Sequence, residues 1–498
     1  MCGRCVRGGR LCGGYDDEGR AHDASTVLQP ALRDGARIER EVERLSHLAS
    51  LVMSLDRDNR PLQHDRVWGR PFLQFSHSVH CAKAAAAAFG AAYEALLKGH
   101  IPQDHPPTLN YYGSALRQLQ ASVDDGSATP ESCAVASLML SGVEILSQHE
   151  ANSFMHFLGA CQILDTKRQG SSSPTASGVL EVVEEELVLI GVAVGGYTMS
   201  QTPAFMHLEP QHTHAADDDD AFSRTGSAIK ASAYALHRAY NFIGRSGGPK
   251  HRYSDYAQRD PMFLRDQADV LAKLGAVCGS LETLTERLEA RLSTKAESAC
   301  ETAMDLAEVY ALRSQVTTTL IFLLCMHSPF ESAHDTHRTL FQSIISNAAA
   351  SIHTKDRIKS STFSRFTCRP GVLGPLFIVS TKCRDPSLRR LATSMLKEQG
   401  REGPADGRTM AVISARLTQL EESAEPKTGP HFPRVAADIQ ERYRIHGYSV
   451  DGPQLIKDNK RVIRVSFSMP CPPLQEGWGS VDYAKVENWS FRSEDLEL

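Results

Sequence analysis

At 498 residues, with 41% hydrophobic and 23% charged content, the chain has the composition of a folded globular protein and none of the biases of disordered, collagen-like or disulfide-scaffold sequences. A net charge of -5 excludes nucleic-acid binding driven by whole-chain charge, so any such activity must be local. The twelve cysteines are scattered without scaffold spacing, and the longest apolar runs, LVLIGVAVGGYTM from Leu187 and TLIFLLCM from Thr319, fall short of the about 20 residues a bilayer requires. An intracellular chain of free thiols with no membrane partner is expected.

In chain order, MCGRCVRGGRLCGGY comes first. Cys2, Cys5 and Cys12 follow C-x2-C-x6-C spacing, with Arg4, Arg7 and Arg10 interleaved and no acidic residue before Asp16. Clustered thiolates lower their mutual repulsion by sharing a cation, and arginines beside them suit a phosphate backbone. Such chemistry fits a metal-organised DNA contact, although a closed structural zinc site takes four ligands and three are here, so the segment reads as half of a site, a chance cluster or a shortened N-terminus. RIEREVERLSHLASLV then sets Ile38, Val42, Leu45, Ala49 and Val52 on one helical stripe. It is too short to establish a coiled coil, and reads first as an amphipathic helix docking on the body, second as a homodimer seam.

From Phe72 to about Ile163 the periodicity stays helical. Alanine-rich FLQFSHSVHCAKAAAAAFGAAYEALL is followed by YYGSALRQLQASV, with Tyr112, Ala115, Leu116 and Leu119 assigned to one face. A helix after Thr129 as N-cap, with Pro130 at its first position, turns Val135, Leu138, Met139, Val143 and Leu146 inward. Another spans SFMHFLGACQIL. RQGSSSPTASG reads as a flexible connection before an apolar helix through Val188 to Val194, and AADDDDA near Asp217 as a solvated loop. Helices follow around Ile229 to Phe242, Leu264 to Leu292, Met304 to Met326 and Leu340 to Ile352, with RSGGPKHRYSDYAQRDP as a loop. Only RVIRVSFSM alternates as a strand, placing Ile463, Val465, Phe467 and Met469 on one face.

Other constellations are weak. GRSGG, Gly244 to Gly248, matches G-x-S-x-G, but the nucleophile elbow needs a strand before Ser246, and a helical pattern precedes it. GVAVGG from Gly191 lacks dinucleotide-loop spacing. His77, His80 and Cys81, the pair His334 and His337, and His212 with His214 read better as core or surface side chains than as metal ligands. No enzyme is expected.

CGRCVRGGRLCGGY resembles the second half of the fungal-type binuclear zinc cluster, in which six cysteines hold two zinc ions and present a short helix to the DNA major groove. YYGSALRQLQ with the helix after it, SFMHFLGACQILD, and above all GVLGPLFIVSTKCRDPSLRRLATSMLKEQGREG (Gly371 to Gly403) resemble, in the same order, the all-helical regulatory region of that transcription-factor family. The resemblance implies a mainly α, nuclear transcription regulator. Residues 1–20 would be a partial zinc cluster, 21–60 a linker and amphipathic helix, 61–445 the helical regulatory domain and 446–498 an extended tail. It implies Cys2, Cys5 and Cys12 as zinc ligands, Arg4, Arg7 and Arg10 as DNA contacts, and a body that senses a small-molecule effector or holds a co-regulator. The family's first half-cluster, with three further cysteines and most of the basic residues, is expected in reading frame upstream of Met1, so that the chain from Met1 onward binds DNA weakly. A DNA-binding-deficient helical scaffold acting through a partner or ligand is the alternative.

Overall fold

The computed structural model describes residues 37–50, 52, 75–76, 79–147, 150–170, 183–184, 187–189, 191–192, 222–247, 261–294, 299–326, 328–358, 366–367, 371–403, 405–423, 435–452, 455–458, 460–471 and 486–498. The chain divides into two units, residues 1–44 and 45–498. In the first, residues 37–44 are helical, and Arg44 reaches back one turn to Glu41 at 2.7 Å.

The second unit is mainly α, as the periodicity requires. Its first layer holds α1 (His80–Leu97), α2 (Pro106–Asp124), α3 (Pro130–Leu146) and α4 (Glu150–Gly170) around one apolar cluster. α1 buries nearly its whole alanine run, because methyl side chains let neighbouring backbones come close. At Gly90 the approach is so tight that a Cβ would strike the Leu45 carbonyl. α3 begins where local chemistry dictates: Pro130 fills the first helical position, the Thr129 hydroxyl accepts from Ser132 N at 3.2 Å, and Ser132 Oγ accepts from Thr129 N at 2.9 Å. Val135, Leu138, Met139, Val143 and Leu146 are all buried. Leu116 departs from the expected face: Ala115 is buried and Tyr112 and Leu119 partly so, whereas Leu116 turns toward solvent on the flank of α2. One residue advances a helix by about 100°, so Ala115 and Leu116 cannot share the centre of a face.

A second cluster joins α5 (Thr225–Gly247), α6 (Pro261–Thr294) and α7 (Ala299–Cys325), together with Leu189, Val192 and their helical neighbours. α7 is apolar around most of its circumference and is therefore interior. One side supplies Leu306, Val309, Val316 and Leu323 to this cluster, and another supplies Ala311, Ile321 and Cys325 to the next. Its buried hydroxyls cost little: Thr317, Thr318 and Thr319 each donate to the carbonyl four residues back, at 2.8, 2.7 and 2.9 Å.

The third cluster combines α8 (Arg338–Ile358), α9 (Leu373–Lys382), α10 (Pro386–Glu398) and α11 (Gly407–Ser423) with strands. A short sheet runs β1 (Phe366–Thr367), β2 (Arg401–Glu402), β3 (Ala405–Asp406), the first pair parallel and the second antiparallel. The expected C-terminal strand is the centre of a larger sheet. β6 (Lys460–Pro470) pairs antiparallel with β4 (Gly447–Val450) and β5 (Leu455–Lys457) along one edge and with β7 (Trp489–Glu497) along the other, in a register that sets Phe467 opposite Tyr448 and Arg492. The region expected as an extended tail thus closes the helical core: Ile463, Val465 and Phe467 are buried there, Met469 partly so, and Phe377 of α9 meets Tyr448 edge-on with centroids 5.2 Å apart. Among the described residues, no helix is long and apolar enough to cross a membrane.

Phe467→Ala is expected to remove about 3–5 kcal/mol and to lower the urea midpoint seen by far-UV circular dichroism, a signal that reports the helices rather than the sheet. An unchanged helical midpoint would mean that the sheet folds apart from them.

Candidate functional site

Cys2, Cys5, Cys12, Arg4, Arg7 and Arg10 lie outside the described residues, as do His77, His212 and His214. Of the other sequence candidates, His80 is exposed and Cys81 buried, so the two face different surroundings. His334 is buried with its Nδ1 3.0 Å from the Glu331 carbonyl oxygen. Gly244 to Gly247 continue α5 as helix, and Ser246 therefore does not stand on a strand-to-helix turn. Among the described residues, no group of three or more His, Cys, Asp or Glu side chains could hold a metal ion.

The run Gly371 to Gly403 builds the densest polar arrangement. At its start Glu402 turns back on α9, its carboxylate accepting from Val372 N at 3.2 Å and Leu373 N at 2.8 Å, so that it caps the helix where the macrodipole favours a negative charge. A Cβ on Gly371 would collide with that carboxylate, which accounts for the glycine. α9 ends at Lys382, Cys383 to Asp385 are extended, and Asp385 caps α10 by accepting from Ser387 N at 3.0 Å and Leu388 N at 3.1 Å. Arg338 adds a 2.7 Å bond to Asp385, and these partners outweigh its burial and bring the carboxyl down to about 2.

The end of α9, this short link and the first turn of α10 aim three cations, Lys382, Arg384 and Arg389, into the interior. Lys382 Nζ donates to both Glu331 carboxylate oxygens at 2.9 Å and to the His446 carbonyl at 2.7 Å. Arg384, fully buried, bridges Glu331 at 2.9 Å and Glu421 at 2.8 Å and also donates to the Ile445 carbonyl at 3.1 Å. Arg389 donates to Glu421 at 2.5 Å and to the Ser380 carbonyl at 3.1 Å. A third carboxylate, Glu441, accepts from Glu331 N at 2.7 Å and Ser332 N at 2.9 Å. Next to it, Arg444 grips Asp335 through two bonds of 2.9 and 2.7 Å.

Carboxylates and cations interleave, which is the condition under which charge survives in a low-dielectric interior. Burial pushes the Glu421 carboxyl up, but Arg384 and Arg389 outweigh it and bring it down to about 2. Glu441 is likewise driven up by burial, yet His446 and the two backbone N–H groups hold it at about 2. Burial lowers Arg384, but Glu421 and Glu331 reverse this and raise it well above the ordinary range. Both oxygens of Glu421 are occupied by arginine donors, with Ile445 N adding a 2.8 Å bond to Oε1. The cluster is therefore an ion lattice clamping α9, α10 and α11 to the segment entering β4, with Arg389 Nη1 left without a hydrogen-bond partner among the described residues.

A smaller cluster joins the other two segments that carry the resemblance. Tyr112 of α2 donates to the buried Glu144 of α3 at 2.5 Å, while its oxygen lies 2.9 Å from His156 Nε2 on α4. Burial and the carboxylate push the phenol far above its ordinary value, and burial lowers His156. YYGSALRQLQ and SFMHFLGACQILD thus meet through Tyr112, which the periodicity places on the inner face of its helix, and His156, to which sequence pattern alone assigns no role.

No protein-family model, no curated protein and no solved structure matches the chain.

Glu421→Gln is expected to cost about 3–5 kcal/mol, because Arg384 and Arg389 lose their shared counter-charge inside the protein. Glu421 and Glu441 release protons more readily folded than unfolded. Their stabilisation is full above the ordinary glutamate value of 4.5 and is lost as pH falls toward about 2. Denaturation midpoints of the parent should fall steeply in that window, and those of Glu421→Gln less steeply; parallel acid profiles would contradict this assignment. Tyr112→Phe, which takes a donor from the buried Glu144, should cost about 1–3 kcal/mol in the same assay.

Proposed function

We propose that the chain is a transcription regulator of the fungal-type binuclear zinc-cluster kind, nuclear, with no catalytic step of its own. In this reading Cys2, Cys5 and Cys12 ligate zinc, Arg4, Arg7 and Arg10 contact DNA phosphates, and the helical body receives an effector or co-regulator. What carries the reading is the presence in one chain, in this family's order, of the cysteine-arginine segment and the run Gly371 to Gly403. The mainly α body is compatible with it, and so is the arrangement of that run, whose cations Lys382, Arg384 and Arg389 pair with Glu331 and Glu421 inside the protein.

Zinc would supply a charge that keeps three thiolates together and so sets the interleaved arginines side by side; base readout needs further groups at the groove edge. The reading predicts that cobalt added to the reduced full chain gives intense thiolate charge-transfer absorption, lost in Cys5→Ser. Random-sequence duplex DNA should bind with a salt dependence that weakens when Arg4, Arg7 and Arg10 are all changed to alanine, the slope of log K against log salt falling by about 2.7, or 0.9 per phosphate contact. Absence of the cobalt bands, or a salt slope indifferent to the three arginines, would overturn the assignment.

A further inference from the structure

The displaced Leu116 belongs to a pattern. Along α2, Leu109, Leu116 and Val123 recur every seven residues and remain 51%, 38% and 52% exposed. Successive members drift only about 20° around the helix, so they form one continuous seam about 21 Å long, the kind a second helix can follow. Gly113 and Gln120 border the seam on its solvent side, where the Arg117 guanidinium reaches over Gly113 and Gln120 donates to Asp124 at 2.8 Å.

The C-terminal end of α2 is charged against its own dipole, and the N-terminal end becomes so when its histidines are protonated. Asp124 and Asp125 stand at the C-terminal end, where carbonyls already concentrate negative potential. At the N-terminal end, where cations are disfavoured, His100 stacks on His105 with centroids 5.0 Å apart and Lys98 is close by. The acidic groups there are Glu94, which pairs with Lys98 at 3.2 Å, and Asp104. His105 Nδ1 also lies 3.1 Å from Thr108 Oγ1. An isolated helix gains nothing from this distribution, whereas an antiparallel copy reverses it. Each acidic end then lies on the other's N-terminus and histidine pair, while residue 109 of one chain faces residue 123 of the other and residue 116 faces itself.

We propose that α2 is a self-association surface, in which two copies of this chain pair antiparallel along Leu109, Leu116 and Val123 with the two-fold axis at Leu116. The seam is separate from the Ile38 to Val52 stripe and independent of the zinc-cluster reading. An isologous contact of this kind closes at two subunits.

The proposal fixes a pH sign. Burial, then His100 and Lys98, depress His105 within one chain, while Glu94 opposes them. The Ser127 hydroxyl and backbone N–H hold Asp125 below the usual carboxylate range, so it stays charged. Partner carboxylates beside His105 favour its protonated form, so the dimer binds more protons than two monomers, and association tightens as pH falls from about 7.5 to 5.5.

Sedimentation velocity of the full reduced chain across a concentration series tests this. A monomer–dimer equilibrium is expected that tightens at the lower pH. Leu116→Glu, at a solvent-facing site where the fold can be checked by circular dichroism, should weaken it at least about tenfold, because two like charges meet on the axis. The double change Asp124→Lys, Asp125→Lys should weaken it as well, and adding His105→Glu should restore it. Oxidised Leu116→Cys should cross-link to itself, whereas Val123→Cys should cross-link only to Leu109→Cys, as read by peptide mass spectrometry. A chain that stays monomeric throughout, or a dimer indifferent to Leu116→Glu, would overturn the proposal; the first result would leave the seam to another protein and the second would place the contact elsewhere.

Discussion

Glu421 and the two arginines that share it form the constraint on which the C-terminal half of the molecule depends. A carboxylate this deeply buried is tolerable only if its counter-charges arrive with it. They come from Arg384 in the link between α9 and α10 and from Arg389 near the start of α10, so the end of one helix, the start of the next and the face of α11 are fixed by one electrostatic requirement. The same lattice holds the carbonyls of Ile445 and His446, from which the chain enters β4. Strand pairing then carries the constraint through β6 to β7, where Arg416 of α11 closes the circuit on Glu494 at 2.5 and 2.9 Å. Helices and sheet are thus two sides of one charge-balanced core.

The N-terminal helices of this unit are organised on another principle. Alanine and glycine on α1 allow close backbone approach, and a compact polar cluster, Tyr112 with Glu144 and His156, ties α2, α3 and α4 together, with Ser141 and Ser153 bonded between α3 and α4. Between these regions α7 serves two apolar clusters at once, which explains why its sequence shows little amphipathic contrast.

Much of this is legible in the sequence because it is local. Thr129 and Pro130 announce the start of α3 through backbone chemistry that needs no tertiary partner, and the alternation of Ile463, Val465, Phe467 and Met469 identifies β6. The partners of β6 are not legible. β4 is four residues long, and β7 is mostly exposed and polar, with Arg492, Glu494, Asp495 and Glu497 in a strand too hydrophilic to show a buried face. Leu116 escapes the periodicity because a face defined by four positions spans an arc of about 100°, and the core lies at its Ala115 edge, where Thr108 is buried as well, opposite the edge that Leu116 occupies. The ion lattice is hidden for a different reason: Glu331, Arg384, Glu421 and Glu441 are dispersed over 110 positions, and single charges in a sequence read as surface. A signal does exist on α11, where Met410, Ser414 and Leu417 mark a helical face that ends on Glu421. A lone carboxylate on an apolar stripe implies a buried cation elsewhere in the chain.

The proposed regulatory role holds only if the helical body alters transcription when it is brought to a promoter. The most direct measurement fuses the full chain to an unrelated DNA-binding domain and reads a reporter carrying that domain's sites in fungal cells, beside the same fusion with Glu421→Gln. A reporter output shifted severalfold in either direction by the parent fusion, and weakened by the variant at matched protein level, is the predicted result. Output equal to that of the bare DNA-binding domain, with the fusion shown to be folded, nuclear and bound at the promoter, would contradict a regulatory role for the helical body.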